Sequence, residues 1–137
     1  MSIQEQLDLK EKYYGEAMRY MDNATECLQK AKKEAGYYND RKYVRMACGT
    51  AYSGALVALD GFLQLKGIKP KGKERKSIEF YQSNVTKIDK KMLNVVNNAY
   101  QILHLSGYYD GVTNAKVVKE GFEEAYKIIG KLRVESN

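Results

Sequence analysis

The chain lacks tryptophan and contains one histidine, one proline and two cysteines among its 137 residues. Neither Cys27 nor Cys48 has a histidine or another cysteine at metal-ligand spacing, so no zinc site is predicted. Both lie among apolar residues, and we expect buried free thiols rather than a disulfide. Twelve tyrosines stand beside three phenylalanines. Aromatic packing must therefore come mainly from tyrosine, whose hydroxyl can reach water.

The chain also lacks the residue patterns of common enzyme sites. We find no serine, histidine and aspartate triad, no paired carboxylates and no glycine-rich phosphate loop at a meaningful spacing. Enzymes of these types are therefore not indicated, and no cofactor or metal is predicted.

Positive charge is concentrated in one segment. The net charge is +6, and the stretch from Lys66 to Lys76 holds six basic residues and one acid, Glu74, so that it alone supplies +5. The rest of the surface is close to neutral, which argues against a broad nucleic-acid-binding face. If this segment binds RNA, the phosphate contacts would come from Lys69, Lys71, Lys73, Arg75 and Lys76. Without an aromatic residue on which bases could stack, a solvated connector is the preferred interpretation.

The size and composition are those of one globular domain spanning residues 1–137, with 44% hydrophobic and 29% charged residues. The N-terminal segment lacks the basic start and the apolar run of a signal peptide. The longest stretch of apolar and small residues, 46–59, is too short to span a bilayer. We therefore expect a cytoplasmic protein without a membrane association.

The first third of the chain has helical periodicity. From Ile3 to Ala35 apolar residues recur every three or four positions, which predicts one long amphipathic helix that ends at Gly36. No segment of the chain shows the convincing alternation of a β-strand.

A second helix is predicted up to the breakers Gly67 and Pro70, with Asn39 or Asp40 as its cap. It is rich in glycine, alanine and serine, and because each helical glycine costs about 1 kcal/mol relative to alanine, close approach of a neighbouring helix is expected, within the chain or in a second subunit. Asp60 interrupts its apolar end and is either exposed or paired with a tyrosine or arginine. Exposure is the preferred interpretation.

The second half predicts three further helices. Ser77 can cap a short one, another follows it, and Gly107 and Gly111 bracket a turn. A last helix begins after Thr113 or Asn114. The fold class is therefore all-α, an antiparallel up-and-down bundle of four main helices plus one short helix.

Two parts of the sequence resemble helices of a known family of domains. The run "ATECLQKAKKEAGYYNDRKYVRMACGTAYSGALVALDGFLQLKGI" resembles the first two helices of HEPN domains, and "AYQILHLSGYYDG" with "AKVVKEGFEEAYKIIGKL" resembles their closing pair. The family's closing turn usually reads alanine, aspartate, tyrosine, and here Gly107, Tyr108 and Tyr109 stand there with Asp110 next. The resemblance covers about residues 17–132. It implies a helical bundle that commonly dimerises.

The resemblance also implies a function class. Many HEPN domains are metal-independent ribonucleases or partners of minimal nucleotidyltransferases, and others have lost catalysis and serve as binding modules. Catalytic members carry an arginine and, after four to six intervening residues, a histidine, which provide a fixed charge on the phosphate and a proton shuttle. Here Asn97, Asn98 and Ala99 precede His104 at that spacing. In a second alignment His104 takes the arginine's place, and no histidine is left for the other role.

The incomplete pair predicts a non-catalytic HEPN-like binding or assembly module. We expect a homodimer formed through the small-residue helix or the face beside the turn, with His104, Tyr108, Tyr109 and Asp110 as ligand-binding residues. His104 is expected to pack at a helix end and Tyr109 to plug the end of the bundle.

The alternative is a divergent ribonuclease, or an RNA- or nucleotide-binding protein of a toxin–antitoxin or nucleotidyltransferase-associated system. Its candidate catalytic residues are His104, Asn98, Tyr109 and Arg45.

Overall fold

The computed structural model describes residues 1–69 and 77–134, and this part of the chain is mainly helical, with one short hairpin. The elements are α1 (Ile3–Gln29), β1 (Lys33–Glu34), β2 (Tyr37–Tyr38), α2 (Arg41–Leu65), α3 (Ile78–Ile88), α4 (Lys90–Ala99), a π-helix (Tyr100–Tyr109) and α5 (Ala115–Gly130). The all-α fold class is thereby confirmed. Of the basic segment, Lys69 is described and exposed, while Lys71, Lys73, Arg75 and Lys76 lie outside the described residues.

Helices α1 and α2 form the central pair and run antiparallel. The Cys27 thiol donates to the carbonyl of Tyr43 at 3.6 Å near one end, and the Tyr13 hydroxyl donates to Gln64 at 2.8 Å near the other. Helix α2 also packs against the π-helix and α5. It is therefore the helix around which the others are arranged.

The glycines of α2 permit this close packing. A Cβ atom on Gly61 would stand 2.6 Å from the Cβ of Tyr13, and one on Gly54 would stand 3.0 Å from the Cβ of Tyr20. Contacts inside the chain thus account for these small residues. The dimer through the small-residue helix or through the face beside the turn stays a prediction.

Helix α2 is apolar because it forms much of the core. Its buried residues are Val44, Ala47, Cys48, Ala51, Gly54, Ala55, Ala58, Leu59, Gly61 and Leu63. By length and composition alone α2 could cross a membrane, yet half of its most apolar window is buried inside the protein. A core position explains the same composition. Both cysteines are free, as expected, and Cys48 is buried as predicted, whereas Cys27 is only partly buried.

The end of α1 differs from the prediction. The helix stops at Gln29, and the next residues form a hairpin in which Glu34 pairs with Tyr37. Its two central residues, Ala35 and Gly36, have φ values of 50° and 85°. A two-residue turn of type I′ requires positive φ at both positions, so Gly36 serves a hairpin rather than a helix end. The prediction of helix up to Ala35, and of no strand at all, was wrong.

The helix caps follow the sequence closely. Asp40 accepts from the Lys42 amide, Ser77 from the Phe80 amide and Asn114 from the Lys116 amide, at 3.0, 3.3 and 2.9 Å. These side chains satisfy amides that have no partner inside the helix. Between Asn39 and Asp40, and between Thr113 and Asn114, the structure selects the second residue of each pair.

Asp60 is paired rather than exposed. The hydroxyl of Tyr81, a buried residue of α3, donates to an Asp60 carboxylate oxygen at 2.8 Å. Burial, this hydrogen bond and the carboxylate charge raise the pKa of Tyr81 well above its usual value of 10.0. The preferred interpretation of Asp60 as an exposed residue was therefore wrong, and the tyrosine-paired alternative is confirmed.

Candidate functional site

The segment that contains His104 is a π-helix rather than a helix end followed by a turn. It runs from Tyr100 to Tyr109, and the Asp110 amide closes it by donating to the Leu105 carbonyl, five residues earlier, at 3.0 Å. The chain leaves the helix at Gly111, whose φ is 65°. Gly107 lies inside the helix and is buried, so the prediction that it begins the turn was wrong.

The π geometry changes which side chains share a face. Hydrogen bonds between residues five apart align side chains at spacings of four and five, whereas an α-helix aligns spacings of three and four. Tyr108 and Tyr109 are four and five residues after His104, and both rings contact the imidazole. In an α-helix Tyr109 would point away from His104. The irregular backbone therefore assembles this group, and π-helical segments are frequent at functional sites.

Four tyrosine rings surround the imidazole of His104. The ring centroids of Tyr52, Tyr100, Tyr109 and Tyr108 lie 4.8, 5.2, 5.0 and 5.9 Å from it. Tyr108 is parallel to the imidazole within 3°, and Tyr109 meets it edge-on at 87°. We call these five residues the aromatic cluster. His104 thus packs its ring as predicted, but in the middle of a π-helix rather than at a helix end.

Tyr52, the member of the cluster on α2, has a raised pKa. Burial, followed by the proximity of Tyr100 and Glu79, raises its pKa to about 12. At neutral pH its hydroxyl is therefore un-ionised. It can donate a hydrogen bond but supplies no negative charge to its neighbours.

One side of the aromatic cluster is open to solvent. Tyr108 and Tyr109 are 48% and 60% exposed, and Met46 of α2 is 51% exposed. Tyr108 lies over Gly49, one helical turn beyond Met46, because a Cβ on that glycine would stand 2.8 Å from the ring. Tyr109 does not plug the bundle end as predicted. The three exposed side chains instead form an apolar surface, which we call the Met46–Tyr109 patch.

Two arginines of α2 border this patch. Arg41 and Arg45 reach Gly111, two residues after Tyr109, and a side chain there would collide with both. Together with Lys42 and Met46 they line a shallow cavity of about 390 Å³. Arg45 thus lies beside Gly111, whereas the enzymatic hypothesis requires it within hydrogen-bond reach of His104.

Asn98 gains no comparable support. It is exposed on α4, while its neighbour Asn97 accepts a hydrogen bond from the Gln82 amide at 2.8 Å. Asp110 is exposed at the end of the π-helix. Within residues 1–69 and 77–134 there is no group of three histidine, cysteine or carboxylate side chains placed to hold a metal ion.

Sequence reasoning missed two members of the aromatic cluster, Tyr52 and Tyr100. The four-residue spacing of Tyr100, His104 and Tyr108 was a usable signal for a shared face. Tyr52 lies on α2, and no pattern in the sequence around either residue predicts its contact with His104.

Comparison with known proteins gives a matching family and a similar solved structure, both described as of unknown function. Residues 6–134 match a family described as Domain of unknown function (DUF5618). The chain is similar to a protein of unknown function from Dyadobacter fermentans, with 43% identity, a TM-score of 0.78, and coverage of 90% of this chain and 94% of that one. No curated protein matches the chain.

Proposed function

Because the chain belongs to this family of unknown function, we propose a role from its own geometry: a non-catalytic, HEPN-like binding and assembly module that self-associates through the Met46–Tyr109 patch. The observation that carries the proposal is the exposure of Met46, Tyr108 and Tyr109 on one surface beside the π-helix. Exposed tyrosine and methionine side chains are enriched at protein interfaces.

The surroundings of the patch suit a contact between two copies. The backbone beneath Tyr108 and Tyr109 is held by the packing of Gly107 on α2, so these rings are presented on a rigid support. Large aromatic side chains with few rotatable bonds lose little conformational entropy on binding. Arg41 and Arg45 provide a polar rim at one edge. An apolar centre with such a rim is the usual anatomy of an interface.

The packing of the His104 side chain supports the non-catalytic part of the proposal. Its imidazole stacks between tyrosine rings and meets a third edge-on, which is a packing role. The positions where catalytic HEPN domains carry arginine hold Asn97, Asn98 and Ala99. An asparagine supplies no fixed positive charge for a developing phosphate dianion.

Sedimentation velocity over a range of concentrations tests the assembly. The wild-type protein is expected to dimerise, and Met46→Ser combined with Tyr109→Ser is expected to weaken the dimer about tenfold or more, because both changes remove apolar area from the centre of the contact. Tyr126→Ser is the matched control, since Tyr126 is 40% exposed on α5. A wild-type protein that stays monomeric up to about 1 mM, or equal weakening by the control, would reject the proposal.

A second candidate function is RNA binding with or without cleavage, in a toxin–antitoxin or nucleotidyltransferase-associated setting. The observation in its favour is the position of Arg41 and Arg45 beside Gly111, which brings cations next to the exposed rings of Tyr108 and Tyr109. Basic side chains combined with stacking rings are typical of single-strand binding. Arg45 would also supply the cation that the sequence lacks near His104.

Incubation with mixed cellular RNA in a chelator, followed by a denaturing gel, separates these candidates. The binding-module proposal expects intact RNA with the wild type, His104→Ala and Arg45→Ala alike. Cleavage that both substitutions abolish would establish the enzyme instead. RNA binding without cleavage would have to weaken steeply as salt rises, because phosphate contacts release counterions.

A further inference from the structure

A groove separate from the aromatic cluster lies between the hairpin and α5. It encloses about 630 Å³, which is within the usual range for small-molecule sites. Its walls come from the end of α1, the hairpin and the first two turns of α5. The lining residues include Thr25, Leu28, Lys33, Lys116, Lys119 and Phe122. We call it the hairpin groove.

Backbone hydrogen bonds fix the two sides of the hairpin groove. The Tyr38 amide donates to the Thr113 carbonyl at 2.8 Å, and the Ala115 amide donates to the Gly36 carbonyl at 3.0 Å. The hairpin is thereby tied to the start of α5. Lys32 and Ala35 have φ values of 53° and 50°, which are costly for residues with a side chain. The hairpin is therefore a specified shape rather than a loose connection, and the groove is preformed.

The lining of the hairpin groove combines an apolar wall with positively charged side chains. Leu28, Ala115 and Phe122 provide apolar surface, while Lys33, Lys116 and Lys119 are exposed around it. The lining contains no carboxylate, and among the described residues these three lysines form no ion pair. Glu34 and Glu120 follow two of these lysines in the chain, but the charged side chains that line the groove are all lysines, which makes the lining electrostatically complementary to an anion.

The helix end itself does not bind the anion. Asn114 already accepts from the Lys116 and Val117 amides, and the Ala115 amide is bonded to Gly36. The charge must therefore be met by the flexible ammonium groups of the lysines, which suit carboxylate and phosphate groups equally. Tyr37, 55% exposed, adds an aromatic face and a hydroxyl at the rim.

We propose that the hairpin groove binds a small amphipathic anion, a molecule with a carboxylate or phosphate head on an apolar acyl or aromatic body. The apolar body lies against Leu28 and Phe122, and the head lies between Lys33, Lys116 and Lys119. A cleft with an apolar lining and a few convergent charges is the usual form of such a site. This site is independent of the assembly surface.

Isothermal titration calorimetry with octanoate, octyl phosphate and octanol tests the proposal. Both anions are expected to bind the wild-type protein about tenfold or more tightly than the neutral alcohol of equal chain length, because the lysines recognise the head group. The stronger of the two identifies carboxylate or phosphate as the preferred head. No binding of either anion up to about 1 mM, or equal binding of octanol, would overturn the proposal.

Two kinds of variant locate the site. Lys116→Gln with Lys119→Gln is expected to weaken octanoate binding about tenfold, and Thr25→Trp, which fills the groove without changing the charge, is expected to abolish it. Lys87→Gln with Lys91→Gln is the matched control, since these exposed lysines lie on α3 and α4. Weakening by the control to the same extent, or unchanged binding in Thr25→Trp, would place the anion elsewhere. Unchanged thermal melting of the variants shows that they fold.

Discussion

Replacement of Gly107 by alanine is expected to lower the free energy of unfolding by about 3 kcal/mol. The new Cβ would stand 2.5 Å from both the Cβ and the Sγ of Cys48, and 3.2 Å from the Ile102 carbonyl oxygen. Because the Cys48 Cβ is attached directly to the α2 backbone, the π-helix would have to move away from α2. Urea denaturation followed by circular dichroism measures the loss, and Tyr108 and Tyr109 would lose their fixed positions with it.

Two further variants show whether this collision is the cause. Gly15→Ala is the opposite control, since nothing lies within 4 Å of a Cβ there and alanine favours a helix by about 1 kcal/mol. In a Cys48→Gly background, Gly107→Ala should cost about 1 kcal/mol or less, because the opposing Cβ is gone. Equal costs in both backgrounds would contradict the proposed contact.

Alkaline pH is expected to destabilise the protein through its buried cysteine. Burial raises the pKa of the fully buried Cys48 thiol from 9.0 to about 12, with a smaller contribution from Cys27. The unfolded thiol therefore ionises near its ordinary pKa while the folded thiol keeps its proton. The contribution of the Cys48 thiol to stability is fully present below the pKa of the unfolded thiol and is lost as pH rises towards the pKa of the folded thiol. For this group alone the loss is on the order of 3 kcal/mol between about pH 8 and pH 11.

Buried tyrosines also destabilise the protein as pH rises, but at higher pH than Cys48 does. The pKa of Tyr52 is raised to about 12, and that of Tyr81 is raised further, chiefly by burial and by its hydrogen bond to Asp60. Their contributions are lost as pH rises through 10 and above. Tyr81→Phe should therefore flatten the pH dependence of stability above about pH 10, even though it removes a hydrogen bond at neutral pH.

The measurement is the urea midpoint of unfolding as a function of pH. Cys48→Ala and Tyr81→Phe should each reduce the fall in midpoint that the wild type shows. Tyr109→Phe is the control, because that side chain is 60% exposed and the loss of its hydroxyl should leave the curve unchanged. A wild-type midpoint that stays level through this pH interval, or identical curves for all variants, would reject the assignment.

Local chemistry explains why most helices were predictable. Three helices are each preceded directly by a capping residue, Asp40, Ser77 or Asn114. The side-chain oxygen of each accepts a hydrogen bond from a free backbone amide in the first turn of its helix. Gly67 has positive φ after α2, as expected for a glycine that follows a helix. Cys27 and Cys48 are free, as expected from their apolar neighbours. Each of these features depends on residues a few positions apart.

The errors in prediction come from contacts between distant segments. The helical pattern continues through Ala31 and Ala35, but the backbone of Tyr38 bonds to Thr113 and that of Gly36 to Ala115, which favours the hairpin. The carboxylate of Asp60 is paired because Tyr81 arrives from α3. In both places a tertiary hydrogen bond outweighs a local preference worth less than about 1 kcal/mol per residue.

The sequence by itself determined the all-α class and narrowed each of these helix caps to one or two residues. Only the tertiary structure decided that Tyr100–Tyr109 is a π-helix, and hence that Tyr109 joins His104. It also formed the hairpin groove, whose lysines come from positions 33, 116 and 119. The physical reason is that periodicity specifies which side of a helix is buried, while the partner it meets depends on how segments distant in sequence pack together.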